Sequence, residues 1–96
     1  MYYVYIIETE DGTYYTGQTN CLMRRLKEHM SGNSRSAAYF RMHPPRFLVY
    51  VEECPTRADA MRREREIKRS RRLKMALVGK RRDDIREVIS GLQASE

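Results

Sequence analysis

The segment YVYIIETEDGTYYTG, residues 3–17, determines the fold of the domain, because two aromatic-rich runs flank a turn that contains glycine. Aromatic and β-branched residues favour β-strands, so residues 2–8 and 13–19 are predicted strands. The intervening Glu10-Asp11-Gly12 can turn the chain, since glycine accepts positive φ without steric cost. The sequence therefore predicts a β-hairpin.

The length of the hairpin loop decides where the tyrosines point. A two-residue Asp-Gly turn would place Tyr5 and Tyr15 on opposite faces of the sheet. A three-residue loop with Gly12 in the left-handed conformation would set Tyr5 opposite Gly17 and leave both phenols on one face. Only the second register lets the two hydroxyls act together, and the sequence leaves both open.

Size and composition limit the class of protein. A chain of 96 residues has room for one domain with a modest core, and its 41% hydrophobic content is that of a chain that folds. The net charge of +6 makes a polyanion the expected partner, although nucleic acid, anionic membrane and acidic protein all fit that sign. Charge alone therefore discriminates weakly.

Targeting signals and cysteine chemistry point to an intracellular setting. The apolar runs are too short to span a bilayer, and the start of the chain lacks the pattern of a signal peptide. Cys21 and Cys54 form neither a CxxC pair nor a zinc-ligand spacing, so both are predicted to be reduced packing residues. We expect a cytoplasmic protein with no membrane contact.

A helix is predicted directly after the hairpin, over about residues 21–30, with Asn20 as its cap and Ser31-Gly32 as its end. Leu22, Leu26 and Met30 form its buried stripe, and at 100° per residue Arg25 and His29 lie along the edge of that stripe. The residues predicted to face solvent are Arg24, Lys27 and Glu28.

The remaining elements follow from local signals. Residues 33–45 are predicted to be irregular with a helical turn near 37–41, and residues 46–53 form a third strand. Thr56 with Asp59 resembles a capping box opening a helix to about Arg69, and Ser70 starts another over 71–78, closed by Gly79. A final amphipathic helix follows residues 80–82, with a stripe of Ile85, Val88, Ile89 and Leu92.

Glu64 is the anomaly of the helix over residues 57–69. It lies mid-stripe with Ala60, Met61 and Ile67, whereas Glu66 points away. A carboxylate removed from water without a partner is costly, so Glu64 should meet a cation, a metal or several donors. Arg25 and the tyrosines are the candidate partners.

Two phenols, an inward arginine and an inward glutamate suit phosphodiester hydrolysis. That reaction needs a nucleophilic water, positive charge around the transition state and a metal near the leaving oxygen. One carboxylate, completed by waters and phosphate oxygens, can hold octahedral Mg²⁺.

The sequence resembles the GIY-YIG nuclease superfamily, in particular its small single-domain branch. The motifs stand in the family's order over roughly residues 2–78. They are Tyr3-Val4-Tyr5, Tyr15-Thr16-Gly17, Leu22-Met23-Arg24-Arg25-Leu26 with Glu28-His29, and Ala60-Met61-Arg62-Arg63-Glu64 with Ile67-Lys68. The resemblance implies an α/β (α+β) fold, a GIY-YIG-like three-stranded antiparallel sheet flanked by helices. The nuclease-like domain would cover residues 1–79 and a C-terminal amphipathic tail residues 80–96.

The resemblance also implies roles for the site residues. Tyr5 or Tyr15 would orient or deprotonate the attacking water, and which of the two acts is open. Arg25 would neutralise the scissile phosphate, Glu64 would bind Mg²⁺ or Mn²⁺, and His29 would be a neighbouring acid/base or hydrogen-bonding group. Three departures stand out: Tyr3 replaces glycine, Gln18 replaces a frequent lysine, and no family asparagine follows the Glu64 helix.

A basic segment follows Glu64. Between Arg62 and Arg82 there are eleven cations in 21 residues, which predicts a surface that tracks phosphates and reads little sequence. The residues predicted to contact nucleic acid are Gln18, Arg24, Tyr39, Arg41, Lys68, Arg69, Arg71 and Arg72.

These features lead to one functional hypothesis and two rivals. The first is a metal-dependent endonuclease-like hydrolase acting on DNA, in branched, damaged or single-stranded form, with RNA as the open alternative. The second is a catalytically weak or inactive nucleic-acid-binding module of the same fold. The third is an interaction role for the Ile85–Leu92 helix, with a protein partner that directs the domain to its substrate.

Overall fold

The computed structural model describes the backbone of residues 1–94 and side-chain environments over residues 1–91. Four strands and five helices make up this part of the chain. In chain order they are β1 (Tyr2–Thr9), β2 (Tyr14–Thr19), α1 (Leu22–Ser31), α2 (Tyr39–Met42), β3 (Pro45–Cys54), α3 (Arg57–Arg69), α4 (Arg71–Leu77), β4 (Asp83–Asp84) and α5 (Ile85–Ala94).

The strands form one antiparallel sheet in the order β2-β1-β3-β4. The predicted α+β class with an antiparallel sheet flanked by helices is confirmed. The predicted number of strands was one too low, because β4 is only two residues long and pairs with Phe47 and Leu48 of β3. So short a strand depends on its partner and leaves no periodic signal in the sequence.

The hairpin adopts the three-residue loop. Tyr5 lies across from Gly17 and Ile7 across from Tyr15. The Thr9 amide donates to the carbonyl of the loop's closing threonine at 2.9 Å. Gly12 has a φ of 81°, the left-handed conformation that glycine adopts most readily. Tyr5 and Tyr15 therefore share one face of the sheet.

Each face of the sheet buries a separate cluster. The aliphatic face lies under α3 and α4 and consists of Val4, Ile6, Val49, Cys54, Ala60 and Ile67. The aromatic face lies under α1, α2 and α5 and consists of Tyr5, Ile7, Leu26, Phe40, Leu48 and Ile85. The chain therefore has two small cores. Full burial of one isoleucine side chain stabilises a fold by roughly 1.5–3 kcal/mol.

Most of the predicted helix boundaries are confirmed by their caps. Thr56 Oγ1 accepts from the Asp59 amide at 3.1 Å, and Ser70 Oγ accepts from the Leu73 amide at 3.1 Å. Gly32 ends α1 with a φ of 69°. These hydrogen bonds satisfy backbone groups that a helix end leaves unpaired.

Two predicted caps were wrong. Asn20 does not cap α1, which begins after Cys21 without a side-chain cap. The Asn20 Oδ1 atom instead accepts from Arg24 Nη2 at 2.8 Å. Gly79 does not close α4, because that helix ends at Leu77 and the amide of Val78 bonds back to the carbonyl of Lys74.

The C-terminal segment packs against the sheet. Ile85 is fully buried in the aromatic cluster, with Val88 and Ile89 packed beside it. Arg82 Nε lies 2.5 Å from Glu8 Oε1 and so joins this segment to β1. The side chain of Leu92, the last residue of the predicted stripe, lies outside the described residues. The division between residues 79 and 80 stays a prediction.

Two further expectations concern bilayers and thiols. Over residues 1–94, no helix has both the length and the apolar character needed to cross a bilayer. Cys21 and Cys54 are both free thiols, and Cys54 packs in the aliphatic core.

Candidate active site

Tyr5 lies at the centre of the aromatic face. Its side chain is 1% exposed, and its hydroxyl lies 2.8 Å from Nε2 of His29. The ring crosses over Gly17, where an added Cβ would come within 2.5 Å of the hydroxyl and 3.0 Å of a ring carbon of Tyr15. Glycine at position 17 therefore makes room for the phenol at the edge strand β2.

The hydrogen bond at Nδ1 of His29 decides which ring nitrogen carries the proton. The Ala37 amide donates to Nδ1 of His29 at 3.4 Å, so this nitrogen must be the acceptor. A neutral imidazole then carries its proton on Nε2, which donates to the Tyr5 hydroxyl. The hydroxyl proton of Tyr5 is consequently free to point toward another acceptor.

Burial changes the titration of both groups. Burial, together with the positive charge of Arg25, lowers the pKa of His29 to about 4, so the imidazole is neutral at pH 7. Burial also raises the pKa of Tyr5 well above its ordinary value, and the nearby Tyr15 adds to the rise while Arg25 opposes it. Tyr5 therefore keeps its proton at neutral pH, where it can donate a hydrogen bond but cannot act as a base.

Tyr15 belongs to a cluster of rings beside this pair. Its ring centroid lies 4.7 Å from Phe40, 5.7 Å from His29 and 5.7 Å from Tyr39. Tyr15 is only partly buried, unlike Tyr5. Of the two phenols, Tyr15 is the one that solvent can reach.

Arg25 points inward, as its position on α1 predicts. Its Nη1 donates to Glu28 Oε1 at 3.0 Å and to the carbonyl of Arg35 at 2.6 Å. The prediction that Glu28 faces solvent was wrong, since its side chain is 18% exposed and held by this bond. Arg25 still acts on Tyr5 through its charge.

Glu64 is partly buried and ion-paired. Its side chain is 22% exposed, and Oε1 accepts from Lys68 Nζ at 2.9 Å. A cationic partner was predicted, but the cation is Lys68 rather than Arg25. The charge of Glu64 contributes to the raised pKa of Tyr5, so the two groups lie within electrostatic reach. Glu66 points away, as predicted, and it pairs with Arg63.

The helices that supply Arg25 and Glu64 pack on opposite faces of the sheet. The charges of both residues act on the pKa of Tyr5, whose ring crosses over Gly17 of the edge strand β2. A site at this edge therefore draws on both faces.

A divalent cation would have few protein ligands here. Over residues 1–94, no group of three or more His, Cys, Asp or Glu side chains converges as a metal cluster. Glu64 supplies a hard oxygen donor, which suits Mg²⁺ or Mn²⁺. The residues fit such an ion only when water and phosphate oxygens complete its coordination.

The predicted nucleic-acid contacts fall into separate places. Gln18 pairs with Val4 on the aliphatic face, away from Tyr5. Arg24 and Arg41 are exposed on α1 and α2, and Arg69 and Arg72 are exposed on α3 and α4. The remaining three, Tyr39, Lys68 and Arg71, line one cavity beside the hairpin turn.

Two contacts near the site were not predicted. Nδ1 of His43 lies 2.5 Å from Oδ2 of Asp11, and the His43 ring stacks on Tyr39 with centroids 4.6 Å apart. Asp11 and His43 are 32 positions apart, so no local pattern signals the contact between them. Phe40, centred 4.7 Å from both Tyr15 and His29, was also missed, because the helical turn predicted near residues 37–41 does not by itself show which of its side chains meets the sheet.

A small α+β domain with two tyrosines on one face of its sheet, a partly buried arginine on the following helix and a partly buried glutamate on a later helix has the features of a nuclease-type fold. The family model for the GIY-YIG catalytic domain matches residues 1–76. The chain belongs to the GIY-YIG family, which confirms the resemblance seen in its motifs.

Relatives support this assignment. The chain is 46% identical over 78 residues to a UPF0213 protein of Halobacterium salinarum, covering 80% of this chain and 99% of that protein. It is 45% identical over 65 residues to a UPF0213 protein of Pseudomonas aeruginosa, covering 68% of this chain and 61% of that one. A solution NMR structure of a UPF0213 protein from Bacillus halodurans is similar with a TM-score of 0.50 and 45% identity, over 81% of this chain and 83% of that one.

Proposed function

We propose that this protein is a metal-dependent endonuclease that hydrolyses phosphodiester bonds in DNA, with branched, damaged or single-stranded forms as substrates. The observation that carries the proposal is the placement of Tyr5 and Tyr15 on one face, over Gly17 and beside the charge of Arg25. Membership of the GIY-YIG family supports a nucleic-acid substrate. We place the protein in the cytoplasm, where a protein partner would direct it to its target.

The two tyrosines have different roles in this proposal. Tyr5 receives a hydrogen bond from His29 and has a raised pKa, so it stays protonated and donates a hydrogen bond to a phosphate oxygen. Tyr15 is more accessible and contacts the attacking water, which it orients or deprotonates. Arg25 neutralises charge that develops on the phosphate.

Glu64 would hold the divalent cation, which supplies Lewis-acid stabilisation of the leaving oxygen. Lys68 Nζ donates a hydrogen bond to this carboxylate. When substrate binds, Lys68 would donate to a phosphate oxygen instead. His29 stays neutral throughout and positions Tyr5 rather than transferring a proton itself.

A nicking assay with Mg²⁺ and with Mn²⁺ tests the proposal. Arg25→Ala and Glu64→Gln should each reduce cleavage on the order of 100-fold or more, since each removes a charge acting on the transition state. Lys27→Ala and Glu66→Gln are matched controls, because each lies on the same helix as its counterpart and faces solvent. Equal cleavage by all five proteins would mean that the activity belongs to a contaminant.

The second candidate is a nucleic-acid-binding module of the same fold that performs no chemistry. The raised pKa of Tyr5 and the ion pair between Glu64 and Lys68 favour it. Binding would then fall steeply with salt, ignore divalent metal and survive Glu64→Gln. Metal-dependent turnover on any substrate, lost in Glu64→Gln, would exclude this alternative.

A further inference from the structure

A cavity of about 390 Å³ lies beside the hairpin turn, and we call it the hairpin pocket. This volume is within the range of small-molecule sites, roughly 300–1,000 Å³. Aromatic and apolar groups form one part of its wall and cations the other. The residues that define it are Tyr14, Tyr39, Lys68, Arg71, Lys74 and Met75.

The cationic wall has the chemistry of an anion site. Lys68, Arg71 and Lys74 recur every three residues across the α3–α4 junction. Burial lowers the pKa of Lys74, and repulsion from the other two cations lowers it further. A bound anion would relieve that repulsion, so the pocket favours a negatively charged ligand.

The aromatic wall is held in place before any ligand arrives. Tyr39 stacks on His43, which is paired with Asp11 in the hairpin turn. The centroid of the Tyr39 ring also lies 5.7 Å from that of Tyr15 and 6.0 Å from that of Phe40. A ring fixed in this way offers a stacking surface at little entropic cost.

The hairpin pocket adjoins the candidate active site at two points. Lys68, in the cationic wall, is bonded to Glu64, and Tyr39, in the aromatic wall, contacts Tyr15. A ligand in the pocket would therefore lie next to the groups assigned to the reaction.

We propose that the hairpin pocket binds one nucleotide of a single strand, adjacent to the phosphate that is cleaved. The phosphate of this nucleotide lies against Lys68, Arg71 and Lys74, and its base packs on Tyr39 and Met75. This inference rests on the proposed function for the nature of the substrate, but binding by the pocket does not require cleavage. It adds Lys74 and Met75 to the residues that contact substrate, and it excludes Arg69 and Arg72 from the pocket.

Fluorescence anisotropy with a short single-stranded oligonucleotide in EDTA tests the pocket without hydrolysis. Arg71→Gln and Lys74→Gln should each weaken binding about tenfold and lower the salt slope by about 0.7. Arg72→Gln is the matched control, because it removes the same charge from the same helix outside the pocket. The pocket predicts that this variant changes binding by no more than about twofold, whereas the broad phosphate-tracking surface expected from the sequence predicts a loss equal to that of the other two variants.

The base contact is tested with an abasic oligonucleotide. The wild-type protein should bind it about tenfold more weakly than the intact strand, since a stacked base contributes substantially to binding. Tyr39→Leu should bind the abasic and intact strands equally well. If that variant folds poorly, the comparison of the two strands with the wild-type protein still tests the base contact. Inorganic phosphate should compete less well than a nucleoside monophosphate.

The outcomes separate the pocket from the proposed function. Equal losses for Arg71→Gln, Lys74→Gln and Arg72→Gln would overturn the pocket, as would indifference to the missing base. If the wild-type protein cleaves DNA and the pocket variants bind normally, the proposed hydrolase activity stands and the proposed nucleotide pocket is overturned. Selective loss of binding without cleavage in any metal would support the pocket and sink the hydrolase.

Discussion

Successive side chains of β1 enter opposite faces of the sheet, and the two faces differ in chemistry. Val4 and Ile6 of β1 enter a core of aliphatic side chains, whereas Tyr5 and Ile7 enter a core that also contains a buried histidine. Aliphatic groups need only close packing, while buried hydroxyls and imidazoles also need hydrogen-bond partners. Tyr5 and His29 satisfy that requirement with each other.

This difference indicates which of the two buried clusters contributes to the candidate site. A purely structural core has no need for a phenol whose hydroxyl crosses over a glycine to the edge of the sheet. Among the buried residues of the aliphatic cluster, changes should affect stability alone. On the aromatic face, changes of similar size should affect activity.

The largest expected effect comes from Tyr5→Phe. Loss of one hydrogen-bond donor to the transition state should reduce cleavage by on the order of 100-fold to 1,000-fold. Ile6→Val is the matched change on the aliphatic face, and it should cost about 0.5–1.5 kcal/mol of stability with activity unchanged. Cleavage rates and denaturant unfolding of both variants provide the comparison. Full activity in Tyr5→Phe would remove the functional distinction between the faces.

A smaller effect is expected from Gly17→Ala. The new Cβ would lie 2.5 Å from the Tyr5 hydroxyl and 2.7 Å from the ring carbon that bears it, so the ring must move. Misplacing the phenol should cost about 100-fold in activity, with roughly 1–3 kcal/mol of stability lost to overpacking. In the control Gly79→Ala, the added Cβ meets nothing within 4 Å and both quantities should be unchanged.

The smallest effect is the pH dependence of stability due to His29. Its pKa of about 4 in the fold lies below the ordinary 6.5, so the unfolded chain binds more protons between these values. The stabilisation is complete above pH 6.5 and is lost as pH falls toward 4, by about 2 kcal/mol between pH 7 and pH 5. Urea unfolding of wild type and His29→Gln at both pH values isolates this contribution. The same pH response in both proteins would contradict it.

Much of the site could be predicted from the sequence because its signals are local. The ordered motifs around Tyr5, Tyr15, Arg25 and Glu64 identified the family, and a domain model now matches the same region. Two ion pairs on single helices could also have been predicted, since Arg25 with Glu28 and Glu64 with Lys68 have the spacing of neighbours on a helix. Glu64 was instead expected to pair with Arg25 or with the tyrosines.

The sequence by itself determined the strands and main helices, two of the N-caps and the inward direction of Arg25, since these depend on neighbours a few residues away. Only the tertiary structure decided between the two hairpin registers, added β4, and joined α2 to the turn through Asp11 and His43. It also placed the helices that carry Arg25 and Glu64 on opposite faces of the sheet. Contacts between distant residues depend on how whole elements pack, and a local pattern carries no record of that packing.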